Sequence, residues 1–367
     1  MNDLLLIGKI AYYLVFVFCL FLYAKYKYKN DRIKKFGLVA LIIFGIIFGV
    51  YGIICGPPGE SIGDRHNYVR RFETPGQEEY MKNQSIGLWA LESIIQLFTR
   101  NGSVLFFVVA TVYFVVNIYC YKKCKESRPL YLLLFFLSTV GLWGFFAMKQ
   151  ALSLAFANLA LVYYMEGKKK WAIPFLIVAI LCHEAAWIVI PCLIAAEYGK
   201  KSKVRQWVLY IILFAIAIFY PQISKYFISL FSHLPGMDTQ VGNYVDSSGS
   251  MIVDTNFFTI FKSAPYYIIT IFAMLYRKKL RDKIKNYDFM LVLSAFCSIF
   301  SVLSVYMYWM FRFATYFYLP CFLLIVQILE HLEESNRKIL IVLIVSIMLG
   351  LMVKLLLQYY FIYGGII

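Results

Sequence analysis

The chain has 367 residues, of which 62% are hydrophobic and only 15% are charged, and its mean hydropathy is +0.71. Soluble domains carry roughly 25% charged residues, so this composition excludes an ordinary soluble protein and indicates a membrane protein. The formal net charge is +16. Because the basic residues cluster in short loops between apolar segments, we expect them to contact lipid headgroups, with no nucleic-acid partner.

Apolar segments long enough to cross the bilayer recur along the whole chain. The clear spans are predicted at residues 4–24, 36–55, 103–121, 129–147, 149–165, 206–231, 257–276, 288–307, 309–330 and 339–358. The first segment has no basic start and no small-residue cleavage site, so we expect a span there, not a signal peptide. The sequence predicts an all-α, polytopic integral membrane protein with about 10–12 transmembrane helices and possible re-entrant segments. We expect a single membrane domain over residues 1–367.

Positive charge predicts the orientation of the loops. The basic loops are expected in the cytoplasm: residues 25–35, 122–128, 168–170, 200–205 and 277–287. The longest loops, 56–84 and 232–256, are expected on the outer side. For these assignments to hold, the short apolar segment 85–99, which contains Glu92, must lie on or dip into the outer leaflet.

The segment 171–196 has two possible interpretations. Polar and helix-breaking residues interrupt it: Pro174, His183, Glu184 and Pro191. Because the flanking loops are both basic, the positive-inside rule favours a re-entrant hairpin that breaks near His183. The alternative is a single span that violates the charge rule.

Four polar stations stand out from this apolar background, because charged groups in or beside spans are costly. The first is residues 64–72, where Asp64, Tyr68 and Phe72 would share one face of a helix, although a solvated loop is the alternative. Lys149 lies between two spans, either reaching the headgroups or holding a phosphate. His183 is either a proton acceptor or a buried, hydrogen-bonded histidine. Arg312, framed by aromatics, is either an interface anchor or a phosphate ligand.

Other chemistry finds no support in the sequence. The eight cysteines have neither a disulfide pattern nor zinc-ligand spacing. His183-Glu184 is followed by Trp187 where a zinc protease has its second histidine, so a zincin is rejected. There is no phosphate-binding glycine-rich loop. We therefore expect no metal and no cofactor.

The four stations, in this order, resemble the EpsG family of Wzy-like exopolysaccharide and O-antigen polymerases. The residues that carry the resemblance are Asp64, Tyr68, Phe72, Lys149, Gln150, His183, Arg312, Tyr316 and Phe317. The likeness covers about residues 30 to 330. One position departs from the family pattern, since the family usually has Arg where this chain has Lys149.

The resemblance implies a multi-pass protein of the bacterial inner membrane. Such enzymes join polyprenyl-diphosphate-linked oligosaccharide repeat units on the outer face, and the lipid diphosphate is the leaving group. The implied partners are this lipid-linked oligosaccharide and the bilayer, together with a flippase and a chain-length regulator.

The resemblance also implies roles for the stations. The implied catalytic residues are His183, Asp64 and Arg312, with His183 or Asp64 as the base. The implied diphosphate- and sugar-binding residues are Lys149, Arg70, Arg71, Tyr68 and Arg312. Three rival functions use related chemistry: a glycan ligase, a transporter or flippase of lipid-linked sugars, and a membrane acyltransferase that uses His183. A transporter is expected to show paired broken helices in two related halves, whereas the sequence shows one broken segment.

Overall fold

The computed structural model describes residues 2–27, 37–54, 64–74, 85–123, 129–232, 257–304 and 310–363. Every regular element within these ranges is a helix, and no strand occurs among them. This confirms an all-α, polytopic membrane protein. The predicted outer loop 232–256 lies outside the described residues after Ser232, as does loop 56–84 except for residues 64–74.

The chain forms two compact units, Met1–Ala186 with Ile341–Ile367 and Trp187–Leu340. The helices of the first unit are α1 (Asn2–Lys27), α2 (Gly37–Ile54), α3 (Asp64–Glu73), α4 (Ile86–Gln96), α5 (Gly102–Lys123), α6 (Pro129–Leu137), α7 (Trp143–Phe146), α8 (Met148–Met165) and α9 (Lys169–Cys182). Those of the second unit are α10 (Val189–Gly199), α11 (Lys203–Ser232), α12 (Phe257–Leu280), α13 (Tyr287–Leu303), α14 (Met310–Thr315) and α15 (Tyr318–Glu330). The last helix, α16 (Glu334–Tyr363), has residues in both units.

Helices occupy all of the predicted spans, but only some are long enough to cross a bilayer alone. Among the described residues, three stretches are both long and apolar enough: Ile7–Lys25, Gly102–Lys122 and Glu334–Leu357. The bent pair from Pro129 to Phe146 makes a fourth if it is counted as one span. Shorter apolar helices fill several of the other predicted segments: Val39–Ile54, Tyr287–Leu303 and Tyr318–Glu330.

The predicted span at 129–147 is not a straight helix, because the helix axis bends by 73° after α6. Unpaired backbone carbonyls are costly in a bilayer, and two distant tyrosines satisfy those at this bend. The Tyr13 hydroxyl donates to the Phe136 carbonyl at 2.7 Å, and the Tyr113 hydroxyl donates to the Val140 carbonyl at 2.6 Å. These long-range hydrogen bonds are the physical reason that the bend is tolerated.

The predicted span at 309–330 also contains a break, because it divides into α14 and α15. Pro320 lies in the first turn of α15. In an unbroken helix it would have no N–H to donate to Tyr316, and its ring would meet the Tyr316 carbonyl. The last turn of α14 tightens instead, as the Tyr316 N–H donates to the Phe313 carbonyl and that of Phe317 to Ala314.

The two ambiguous segments are built from short helices. α4 has 11 residues and is therefore about 17 Å long, too short to cross roughly 30 Å of hydrocarbon. This length fits the expected helix at the outer leaflet. In segment 171–196 the chain breaks at His183, which is extended with φ −158° and ψ 124°. The predicted break is present, and the return of this segment to the cytoplasmic side stays a prediction.

One end of the first unit is rich in lysine. Lys122 near the end of α5 lines the same small cavity as residues of the last turn of α1. The Tyr119 and Tyr163 hydroxyls lie 3.2 Å apart and join the ends of α5 and α8. The turn from α8 to α9 adds the lysines 168–170. The positive-inside rule predicts that this end faces the cytoplasm.

Candidate functional site

The first station forms the helix α3. Tyr68 and Phe72 share its buried face, and Asp64 is its first residue, although the Asp64 side chain lies outside the described residues. The helical interpretation is therefore confirmed over the solvated loop. The buried face joins an apolar cluster that includes Leu88, Ile95, Leu105, Phe106, Val109, Met148, Leu152 and Cys182. Residues of α3, α4, α5, α8 and α9 therefore meet at one place.

Arg65 fixes the start of α3 to the ends of two other helices. Its guanidinium donates to the carbonyls of Gly52 at 3.1 Å and Ile53 at 3.2 Å, in the last turn of α2, and to Phe145 at 3.2 Å. It also lies 3.7 Å from the centre of the Phe106 ring. Carbonyls at a helix end lack intrahelical partners, so Arg65 has a structural role that the sequence does not reveal.

The adjacent Arg70 and Arg71 lie in different environments. Arg70 is exposed. Arg71 is 11% exposed and forms an ion pair with Glu92, which is 3% exposed. The Arg71 guanidinium also lies 5.3 Å from the centre of the Tyr68 ring. The Arg71–Glu92 pair thus joins α3 to α4, and Glu92 is a site residue that sequence reasoning did not assign.

Helix α4 connects α3 to the turn that contains His183. The Gln96 side chain donates to the Phe72 carbonyl at 3.0 Å, one turn after Glu92. At the other end of α4, a Cβ on Gly87 would lie 2.6 Å from the Cys182 sulphur and 2.9 Å from its backbone nitrogen. Only a glycine allows the backbone to come this close, so α4 packs directly against the last residue of α9.

His183 is half-buried, and its ring position is set by a local hydrogen bond. The Ala185 N–H donates to His183 Nδ1 at 3.1 Å. A ring nitrogen that accepts a hydrogen bond carries no proton, so the neutral ring holds its proton on Nε2. In this geometry His183 presents an N–H donor at Nε2.

Lys149 lies in the first turn of α8, close to the end of α9. The Ser153 hydroxyl, one turn further along α8, donates to the Ala179 carbonyl at 2.7 Å and lies 3.5 Å from the His183 carbonyl. Residues four apart share a helix face, so half-buried Lys149 lies on the face of α8 that meets α9. The structure therefore brings Lys149, His183 and α3 to one end of the first unit, around α4.

Arg312 belongs to the second unit. It is half-buried in α14, and its carbonyl accepts a hydrogen bond from the Thr315 hydroxyl at 2.7 Å. The next residue, Phe313, packs edge-on against Phe300 of α13, with ring centres 5.7 Å apart. The predicted aromatic surroundings are present.

Metal-binding side chains do not converge in the part of the chain that the structure describes. No group of three or more His, Cys, Asp or Glu residues there is placed to hold an ion. No disulfide joins the cysteines in that part, while Cys55 and Cys124 lie outside it.

Comparison with known families decides the broad identity of the chain. The model of the EpsG family matches residues 58–364, which include all four stations. The chain belongs to the EpsG family. No curated protein and no solved structure matches it. The EpsG match confirms the resemblance that the stations indicated, and it suggests a polymerase-type enzyme.

Proposed function

We propose that this EpsG-family protein polymerises polyprenyl-diphosphate-linked oligosaccharide repeat units into exopolysaccharide on the outer face of the bacterial inner membrane. Family membership supports a polymerase. The observation that carries the proposal is the gathering of Arg70, Lys149 and His183 at one end of the first unit. This end combines cations with an N–H donor, the groups that bind a diphosphate.

The lysine-rich end of the same unit supports the orientation. Because that end is predicted to be cytoplasmic, the opposite end, with α3 and α4, would face outward. A lipid-linked substrate has its diphosphate at the headgroup level, where short helices such as α3 and α4 would meet it.

The reaction needs no nucleotide. A hydroxyl oxygen of the acceptor sugar forms a bond to the anomeric carbon of the growing glycan. The bond from that carbon to the diphosphate oxygen breaks, and its electron pair leaves with the diphosphate. The hydroxyl proton passes to a base. Cations and N–H donors stabilise the charge that develops on the leaving group, which is the largest catalytic term in many enzymes.

The geometry favours particular roles for the predicted residues. Arg70 and Lys149 would neutralise the diphosphate, and the resemblance implies that Arg312 is also a phosphate ligand. His183 Nε2–H would donate to one of its oxygens. That leaves Asp64, the other candidate, as the base, because a histidine whose Nδ1 already accepts a hydrogen bond has its remaining nitrogen protonated.

Burial changes the roles expected for two of the predicted substrate contacts. Tyr68 is 7% exposed and packs in the apolar cluster, and Arg71 is ion-paired with Glu92. We assign both residues to holding α3 in place, and we assign the direct contact with substrate to exposed Arg70.

The transporter alternative is not decided by counting broken helices. The sequence showed one broken segment, but the structure adds a bend after α6 and a division between α14 and α15. That sequence-based argument against a transporter is therefore corrected. The alternatives differ in product: a ligase moves a finished glycan to a new carrier, and a transporter moves repeat units without lengthening them.

A deletion strain restored with wild type or with Arg312→Ala tests the proposal. Lipid-linked and surface glycans are separated on a gel. We expect long chains with wild type, and single repeat units with the deletion and the variant, at equal amounts of inserted protein. Long chains that stay on the carrier would favour the ligase. Repeat units trapped on the cytoplasmic side would favour the transporter.

A further inference from the structure

We propose that Glu92 is a positioning residue: through its ion pair with Arg71 it sets the place of Arg70 relative to His183. The inference rests on the proposed function and deepens it, because it concerns how the diphosphate site is held together. Neither composition nor the family match points to Glu92.

The environment of Glu92 is unfavourable for a charge. It is 3% exposed, and its neighbours on the buried face of α4 are Leu88 and Ile95. A buried carboxylate without a partner is strongly destabilising, and even a paired one does not generally stabilise a fold more than apolar residues would. Burial of Glu92 therefore depends on polar partners, of which Arg71 is one, and it suggests a role other than stability.

The contacts of α4 show what this role would be. On the α3 side, Glu92 binds Arg71 and Gln96 binds the carbonyl of Phe72, so two successive turns hold the last turns of α3. On the α9 side, Gly87 contacts Cys182, the residue before His183. Helix α4 is thus the direct link between the helix of Arg70 and the turn of His183.

The Arg71–Glu92 pair is a charged contact between α3 and α4. A charge-assisted hydrogen bond adds a fixed direction to the apolar packing around it, which is itself non-directional. Loss of the pair would let α3 shift along α4, and Arg70 would move with it. A displacement of about 1 Å in a site can reduce activity 10²-fold.

Arg71 has a second possible role, which the experiment must separate from positioning. Its Nε is buried and has no hydrogen-bond partner among the described residues. If this N–H contacted the diphosphate directly, Glu92 would only balance its charge. A charge swap distinguishes the two roles, because it restores the ion pair but removes the guanidinium from position 71.

The test uses the full-length protein in detergent and the probe farnesyl diphosphate, with binding measured per folded protein. The variants are Glu92→Gln and the swap Arg71→Glu/Glu92→Arg. The matched control is Asp288→Asn, which removes the carboxylate of a second, partly buried arginine pair, Arg277–Asp288, in the second unit. Thermal unfolding is measured on all of them, and elongation of lipid-linked repeat units is measured in parallel.

We expect Glu92→Gln to weaken binding at least about tenfold, because Arg70 would no longer be held in its place and small displacements in a site carry large penalties. The swap should return binding to within about threefold of wild type, because it restores the pair. Asp288→Asn should lower the unfolding temperature but leave binding unchanged.

Equal binding by wild type and Glu92→Gln would overturn the positioning role. So would a folded swap variant that binds no better than Glu92→Gln, since the guanidinium itself would then be required at position 71. Wild type that binds the probe but never elongates glycan would refute the proposed function and leave the positioning role standing.

Discussion

Two partly buried arginine–carboxylate pairs, one in each unit, allow a direct comparison. Arg71–Glu92 has side chains 11% and 3% exposed, and Arg277–Asp288 has side chains 13% and 11% exposed. Arg277 binds Asp288 through two nitrogens, at 2.8 Å and 2.9 Å. Burial alone would give both pairs the same importance.

The surroundings of the two pairs differ. The Arg277–Asp288 pair ties α12 to α13 beside the basic turn that is predicted to be cytoplasmic, with Lys278 and Lys279 next to it. The Arg71–Glu92 pair lies beside Arg70 and on the helix that contacts the His183 turn. The comparison teaches that a shielded charge pair indicates function only when the groups that it holds in place belong to a site.

The largest expected effect separates the two regions most clearly, and it comes from removing the proposed base, Asp64, at the start of α3. Asp64→Asn should lower elongation by about 10²–10⁴-fold, the range that general base catalysis supplies. The measurement is the initial rate of elongation per inserted protein. Asp282→Asn is the control, since this residue is 88% exposed in the basic turn of the second unit and its loss should change nothing. Normal elongation by Asp64→Asn would remove Asp64 from the mechanism.

Two substitutions of His183 test its role, because each one mimics a different ring nitrogen. The Asn side-chain oxygen can accept the hydrogen bond from the Ala185 N–H, as Nδ1 does, but Asn has no N–H donor at the position of Nε2. His183→Asn should therefore reduce elongation about 100-fold. Gln places an N–H₂ near the position of Nε2, so His183→Gln should retain more activity than His183→Asn. If His183 were instead the base, both variants would be equally inactive. Rates of elongation at equal protein amounts decide between these outcomes.

Much of this architecture could be predicted from local sequence. Hydropathy located the helices, and the polar and proline residues around His183 located the break in that segment. The bend after α6 was not predicted, because Gly141 and Gly144 only weaken a helix and the groups that stabilise the bend are distant in sequence. The hydroxyls that stabilise the bend come from Tyr13 and Tyr113, of which Tyr13 is 123 residues away from its partner.

The site was predicted less completely. The stations were visible because charged residues stand out in apolar sequence. Glu92 stood out in the same way, but its partner is 21 residues away in another helix, and no local pattern pairs them. The difference between Arg70 and Arg71 was also hidden, because adjacent residues on a helix point about 100° apart and only packing decides which one is buried.

Disturbing the contact between α4 and α9 should have a smaller effect on stability and diphosphate binding. Gly87→Ala would place a Cβ against the Cys182 backbone, and overpacking of this kind costs about 1–3 kcal/mol. We expect a lower unfolding temperature together with weaker diphosphate binding. Gly350→Ala is the matched control, because nothing lies within 4 Å of its added Cβ and alanine favours a helix. Gly87→Ala with wild-type stability and binding would show that α4 and α9 need no close contact.

The smallest expected effect is a gain in affinity for a diphosphate. Lys149→Arg should raise the affinity for farnesyl diphosphate by about two- to fivefold, because a guanidinium can bind phosphate oxygens through two parallel hydrogen bonds. Lys149→Gln, which removes the charge, should weaken the same affinity. Titration of both variants gives the answer. Equal affinity of wild type and Lys149→Gln would show that Lys149 only contacts lipid headgroups.

The most direct test of the proposed polymerase is reconstitution of the purified protein with fluorescent, polyprenyl-diphosphate-linked repeat units and no nucleotide. Glycan length is measured on a gel over time for wild type and Asp64→Asn. We predict a ladder of lengthening chains with wild type, and single repeat units only with Asp64→Asn. Single units with wild type, whether they stay in place or cross the bilayer, would contradict polymerisation by this chain.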